Sequence, residues 1–359
     1  MGFFVKNNIY TIKITLNLLK MLGFLVPGRF TKENNFFLNI YRGVWFNFLV
    51  GIYIVVQFGE LIVIWGDVSL MVSTSFLLFT NMALALKILN VVFRGKDIQG
   101  IIDEVDAEIG AEHREEGRVI IEDDLVFIIY ALLINLLLKR VSTCWLRLHA
   151  RLPKVWVHIA ALLNVCLDTL VTSLIAVCRC RLKLQALTLK NLCNGCVDLY
   201  TPDQEQNIVS RLRPTIIGHQ ATLRTVNQVQ ECFSEPILAQ FLVSTIIICV
   251  TAYDLASVMR LIAMTSYLFV MVGQVFLYCY QGNQLSTESE QVSYAVYSCE
   301  WHRCSVRLRR ALLLVMIRTR RIARLTAGGF TTLSLIVKLS YTFFTVLQRV
   351  DDRKLAGRS

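Results

Sequence analysis

Long apolar runs separated by polar breaks set the pattern of this chain. Seven of them reach or approach the roughly 20 helical residues that cross a bilayer of about 30 Å. They cover 37–65, 69–93, 125–138, 156–177, 237–253, 261–280 and 330–347. The third is short for a span and starts directly after Glu122-Asp123-Asp124. The patch 311–317 is too short to cross and reads as a membrane-proximal helix between arginines. The polar segments 94–124 and 178–236 keep helical periodicity. Ile101, Ile102, Val105 and Ile109 share a face in the first, as do Leu182, Leu184, Leu189 and Leu192 in the second. Such faces must pack on something, within or between subunits. Residues 10–26 form an amphipathic pattern without a cleavage site, so 1–36 reads as an interfacial cytoplasmic helix and not a signal peptide.

Composition agrees with a polytopic membrane protein. The 359 residues are 55% hydrophobic, and mean hydropathy is +0.54. A soluble chain of this length needs more polar surface. The apolar runs lack the alternation and closely spaced turns of barrel strands, which leaves helices. The net charge of +11 sits in no nucleic-acid motif. It is explained by loop placement. The segments 1–36, 94–124, 178–236 and 281–329 hold 24 Lys and Arg, against 10 in the segments on the other side. The positive-inside rule then puts the N-terminus in the cytoplasm and the C-terminus outside. The expected fold is an all-α membrane protein with seven transmembrane helices and cytoplasmic helical extensions. One membrane domain, 37–348, includes the anchor segments 178–236 and 281–329, and 349–359 is an extracellular tail.

Chemistry adds little to this. The chain has 11 cysteines, and Cys193 and Cys196 have metal-ligand spacing. No second pair follows nearby and His219 stands alone, so no metal or cofactor is expected. Cys178 and Cys180 lie where palmitoylation occurs. No phosphate loop, nucleophile elbow or metalloprotease motif is present, which argues against an enzyme. Glu60, Lys87, Asp168 and Lys338 fall inside apolar runs, where a charge defaults to a functional hypothesis. Lys87 has the length to snorkel. Asp168, at mid-span, is expected to be buried, paired or facing water.

The last half of the chain resembles the insect odorant receptors. Leu167-Asp-Thr-Leu with Arg181-Leu-Lys-Leu, and His219-Gln-Ala-Thr-Leu with Glu231-Cys-Phe-Ser, carry the first part of the likeness. Gly282-Asn-Gln-Leu, Thr287-Glu-Ser-Glu and Ala295-Val-Tyr through Trp301 form its most specific block. Thr326-Ala-Gly-Gly-Phe and Ser340-Tyr-Thr-Phe-Phe complete it. Two departures stand out. The loop 139–155 is short and basic where the family has a longer lid, and Thr331-Thr332 replace an aromatic and a proline. The sister gustatory family is an alternative, but Arg349 stands where its terminal motif has Phe. A G-protein-coupled receptor fits less well, since its span-end motifs are missing and the charge bias is reversed.

The resemblance implies a ligand-tuned subunit of an odour-gated, non-selective cation channel. Four subunits surround a pore, at least one being a shared co-receptor, in the plasma membrane of a sensory-neuron dendrite. It implies a pore and gate at Thr345, Val346, Leu347 and Gln348, where apolar residues close by dewetting and a polar ring replaces hydration. It implies a pocket for a small apolar volatile among spans two, three, four and six. Met82, Tyr130, Tyr267 and Met271 are its candidates. The ordinary alternative for each is helix packing, and for Gln348 a place at the interface.

Overall fold

The computed structural model describes residues 40, 43–44, 51–66, 68–111, 154–193, 202–253, 258–329 and 331–333. The apolar runs within them became helices: α1 (Ile52–Val63), α2 (Val68–Phe93), α4 (Lys154–Lys190), α5 (Pro202–Tyr253) and α6 (Val258–Ser298). The amphipathic α3 (Gly95–Ala111) and α7 (Val306–Thr319) complete the helices. A turn of 3-10 helix at Trp301–Arg303 precedes α7. A hairpin of β1 (Thr326–Ala327) and β2 (Thr331–Thr332) follows it.

Three helices are much longer than a bilayer requires. The 37 residues of α4, 52 of α5 and 41 of α6 make rods of about 55, 78 and 62 Å at 1.5 Å per residue. The hydrocarbon core is about 30 Å, so each rod runs well beyond it. Expected span ends near 177, 237 and 280 are therefore not helix ends. Nothing near 177 or 280 breaks the backbone ladder, and near 237 the helix runs on through Pro236. A change from Leu and Val to Arg and Gln changes the solvent a helix prefers, not its hydrogen bonds. Among the described residues, 74–93 and 159–190 hold stretches long and apolar enough to cross a membrane.

α4 is the hub. Its stretch 163–182 is buried on all sides, as expected for a helix enclosed by others. It packs mainly on α6, then on α5 and α2. Leu163, Leu170, Leu174, Ile175 and Leu182 are sealed there with Phe233 of α5 and Ile88 of α2. Its Thr169, Thr172 and Ser173 hydroxyls donate back to carbonyls three or four residues earlier. That satisfies them without a neighbouring helix. α3 lays Ile98, Ile101 and Ile102 on the bundle, in line with the periodicity of its sequence.

Pro236 sits inside α5 where the helix passes from polar to apolar sequence. A proline there supplies no N–H and pushes away the carbonyl four residues earlier. The orphaned carbonyl of Cys232 accepts instead from Asn90 Nδ2 at 2.8 Å. Arg94 donates to the neighbouring carbonyl of Glu231. The end of α2 thus caps the flaw in α5.

Candidate functional site

Polar side chains are threaded through the apolar bundle at helical spacing. The densest group joins α2, α4 and α6. Asn164 and Asp168 are one turn apart on α4 and face Lys87. Lys87 Nζ lies 2.6 Å from Asp168 Oδ1 and donates to Asn164 Oδ1 at 2.8 Å. Tyr278 of α6 donates to the same Asp168 oxygen at 2.8 Å. Lys87 and Asp168 are both about 5% exposed, so neither charge reaches solvent. Lys87 does not snorkel. A carboxylate one helix away gives its ammonium a partner inside the bundle. Asp168 Oδ2 is buried without a hydrogen-bond partner among the described residues. A cavity of about 10 Å³, water-sized, opens beside the cluster between Lys87, Asn90, Pro236 and Tyr278.

A second group joins α5 to α6 further along the same stripe. Gln240 Nε2 donates to Gln274 Oε1 at 3.2 Å and Ser244 Oγ at 3.3 Å, and it touches Met271 Sδ at 3.9 Å. Gln274 Nε2 has no partner among the described residues. Met271 is buried here, an apolar wall beside an amide with a free donor. Met82 stands on the opposite, exposed face of α2 from buried Asn81 and Leu84. Tyr267 lies on α6, but its side chain is outside the described residues, as are Tyr130, Thr345, Val346, Leu347 and Gln348. The structure therefore groups Met271 with Gln240 and Gln274, and Met82 faces away from that group. The glutamines were missed in the sequence. Their signal was present as polar residues repeated every turn within an apolar run.

The motif Leu325-Thr-Ala-Gly-Gly forms the hairpin, whose register pairs Thr326 with Thr332 and Ala327 with Thr331. Gly328 and Gly329 have φ of 59° and 76°, the left-handed region that favours glycine. The hairpin docks on α5. Gln230 Oε1 accepts from the Thr326 amide at 2.7 Å, and its Nε2 donates to the Thr326 carbonyl at 2.9 Å. Ser234 accepts from the Gly328 amide through its own carbonyl at 3.1 Å. A Cβ on Gly328 would collide with Leu238. On the other side, a Cβ on Gly282 would lie 2.7 Å from Leu333 Cβ. Two glycines of the sequence motifs thus make room for one short segment.

Beyond the apolar core, His219 donates through Nδ1 to Gln185 Oε1 at 3.1 Å. Burial, with the Arg318 charge nearby, holds its pKa below the usual value. The thiols of Cys299 and Cys304 both hydrogen-bond with that of Cys193. Burial, reinforced by Cys193, pushes the Cys304 thiol up to about 12. Cys193 meets these partners across the fold, while Cys196 lies outside the described residues. No group of metal-ligating side chains with suitable geometry occurs among the described residues.

Long helices, two of them with stretches apolar enough to cross a membrane, pinned to one another by buried polar groups, are the architecture of a multi-pass helical membrane protein. The comparisons narrow this. Residues 152–348 match the family model described as 7tm Odorant receptor. The chain belongs to the insect odorant receptor family, a receptor family and not an enzyme family. It is 30% identical over 151 residues to putative odorant receptor 85d of Drosophila melanogaster, covering 40% of this chain and 37% of that one. It is 28% identical over 173 residues to the odorant receptor coreceptor of Aedes albopictus, covering 46% of this chain and 36% of that one. The matched regions thus span well under half the length of these relatives. The solved olfactory receptor OR5 of Machilis hrabei, in complex with eugenol, superposes with a TM-score of 0.73 at 15% identity. The superposition covers 96% of this chain and 100% of that one, and establishes the shared all-helical fold.

Proposed function

We propose that this chain is a ligand-tuned subunit of an odour-gated, non-selective cation channel, formed with a shared co-receptor. The observation that carries the reading is an unpartnered apolar face at the polar ends of the long helices. Tyr294 and Tyr297 of α6 and Leu313, Leu314 and Ile317 of α7 are all more than half exposed. Glu290 and Arg320 border the groove that Tyr294, Tyr297, Leu313 and Ile317 line. A patch of this kind marks an association surface, and a neighbouring subunit is its natural cover.

Seven spans are proposed, with the N-terminus in the cytoplasm and the charge bias as support. The membrane domain is 37–348, with 1–36 interfacial and 349–359 outside, in a sensory dendrite's plasma membrane. Four subunits surround the pore. Met82, Tyr130, Tyr267 and Met271 are proposed to contact the odorant, a small apolar volatile. Eugenol, bound by the Machilis receptor, has this character. Met271 beside the free Gln274 donor supports the placement: such pockets are apolar with few polar handles. Thr345, Val346, Leu347 and Gln348 are proposed to form gate and pore, Gln348 replacing part of a cation's hydration. Odorant opens the pore by binding the open state more tightly than the closed one.

Whole-cell recording tests this. Cells expressing the chain with the insect co-receptor should give a fast cation current to some member of a broad volatile panel, and neither chain alone should reproduce it. A slow response abolished by blocking G proteins would overturn the channel reading.

A further inference from the structure

The hairpin is the last described element of the chain, and its second strand, Thr331–Thr332, opens the apolar run 330–347. One side chain makes most of its polar contacts with α5. Gln230 grips both backbone groups of Thr326, its Oε1 taking the amide hydrogen and its Nε2 the carbonyl, and Nε2 also lies 2.6 Å from Thr326 Oγ1. The grip imitates a strand pairing, with an amide side chain in place of a second strand. The Thr326 carbonyl also accepts from Ser234 Oγ at 3.3 Å. One turn further along α5, the Gly328 amide is held by the Ser234 carbonyl, and Gly328 rests on Leu238. Leu333 closes the hairpin by donating to the Leu325 carbonyl at 3.0 Å, and it seats against Gly282 of α6. Ala323, ahead of the hairpin, donates to Ser289 Oγ of α6 at 2.9 Å.

These contacts fall at a special place on α5. Gln230 and Ser234 precede Pro236 by six and two residues, and Leu238 follows it by two. Cys232, between Gln230 and Ser234, has the carbonyl that α2 caps through Asn90. One short stretch of α5 therefore receives α2 on one side and the hairpin on the other. Movement of α2 or α6 relative to α5 must be felt at the hairpin, which lacks a helix's own length to absorb it.

We propose that Gln230 is a positioning residue for gating, and that Gln230, Gly328 and Leu238 form a joint fixing the base of the run 330–347 to α5. The joint passes helix movement to the pore and does not itself touch odorant or ions. The proposal rests on the channel reading above. The three Gln230 hydrogen bonds are short, 2.6–2.9 Å, and partly shielded from water, so the joint acts as a rigid link.

Two measurements on the full chain, co-expressed with the co-receptor, test it. The first is maximal odour-evoked current at matched surface staining. The second is the rate at which an impermeant thiol reagent modifies a Leu347→Cys variant, which needs no odorant. Gln230→Met keeps length but removes every polar contact. It should cut maximal current about tenfold and alter the Leu347→Cys rate by a similar factor, as expected for losing two or three neutral hydrogen bonds. Gln230→Glu keeps an acceptor for the Thr326 amide and should fall between. Gly328→Ala should also be impaired, and Leu238→Ala added to it should restore much of the current by removing the clash. Wild-type currents and labelling rates in Gln230→Met and Gly328→Ala would overturn the joint. A wild type silent to all odorants, with labelling still sensitive to Gln230→Met, would remove the odorant reading and leave the joint standing.

Discussion

Lys87, Asp168 and Tyr278 come from three helices and meet on one carboxylate oxygen. The charges neutralise one another, but the pair contributes little stability over apolar residues of the same size. Its strength shows when one partner is lost, because the other is left buried and unpaired. Asp168→Ala should destabilise the protein by about 3–5 kcal/mol. Lys87→Met with Asp168→Leu should recover most of that, as read from thermal unfolding in detergent and from surface expression. Tyr278→Phe removes only one donor and should cost about 1 kcal/mol. His219 gives a pH signature. Its pKa is lowered by folding, so its contribution is complete above its unfolded value of about 6.5. The contribution is lost as pH falls from there toward the folded value, because the unfolded chain takes up a proton that the folded one resists. His219→Gln should flatten the dependence of unfolding temperature on pH below about 6.5. At this scale the sequence was half legible. Asp168 stands out as a charge in an apolar run, and Asn164 one turn earlier marks the same face. Lys87 stands out in the same way, but nothing marks it as the partner, because it lies 81 residues away in sequence. Only the packing of α2 on α4 brings them together.

Among the elements, α5 shows most clearly how a long helix accommodates a flaw. Pro236 breaks its ladder, and Asn90 of α2 satisfies the carbonyl left over. The two residues should therefore be coupled. Asn90→Leu should cost about 1 kcal/mol in the natural chain and much less beside Pro236→Ala, where the α5 amide again serves the Cys232 carbonyl. A double-mutant cycle measured by thermal unfolding reads the difference. The apolar runs coincide with α1, α2 and stretches of α4, α5 and α6. Their true ends were hidden, because polarity marks where lipid stops and says nothing about where helical hydrogen bonding stops. The segments beyond 177 and before 237 kept strong helix formers such as Leu184, Gln185 and Gln228, and the backbone ran on. The Gly328-Gly329 pair was legible as part of a motif, yet its role was not. The need for glycine comes from Leu238, on another helix, and from a backbone turn that only the fold defines.

At the scale of the whole molecule, the described residues leave an apolar face of α7 uncovered. Leu308 and Leu312 of α7 turn inward, while Leu313, Leu314 and Ile317 turn out. The sequence marked 311–317 as a short membrane-proximal helix between arginines but could not say which of its apolar residues stay uncovered. Leu313→Glu with Ile317→Glu should leave the single chain folded and weaken its association with the co-receptor by roughly tenfold or more, since a buried charge at an interface core is strongly unfavourable. Co-purification in mild detergent, with circular dichroism as the folding control, measures this. The continuous helices have one more consequence. A helix that ended at the headgroups would keep any tilt within the membrane. The long α4, α5 and α6 act as levers with the bilayer as fulcrum. A small lean of their lipid-embedded arms, whether from a bound molecule or from a thicker membrane, sweeps their far ends sideways in the opposite sense. Lipid thickness would thereby reach the surfaces between subunits as a mechanical input.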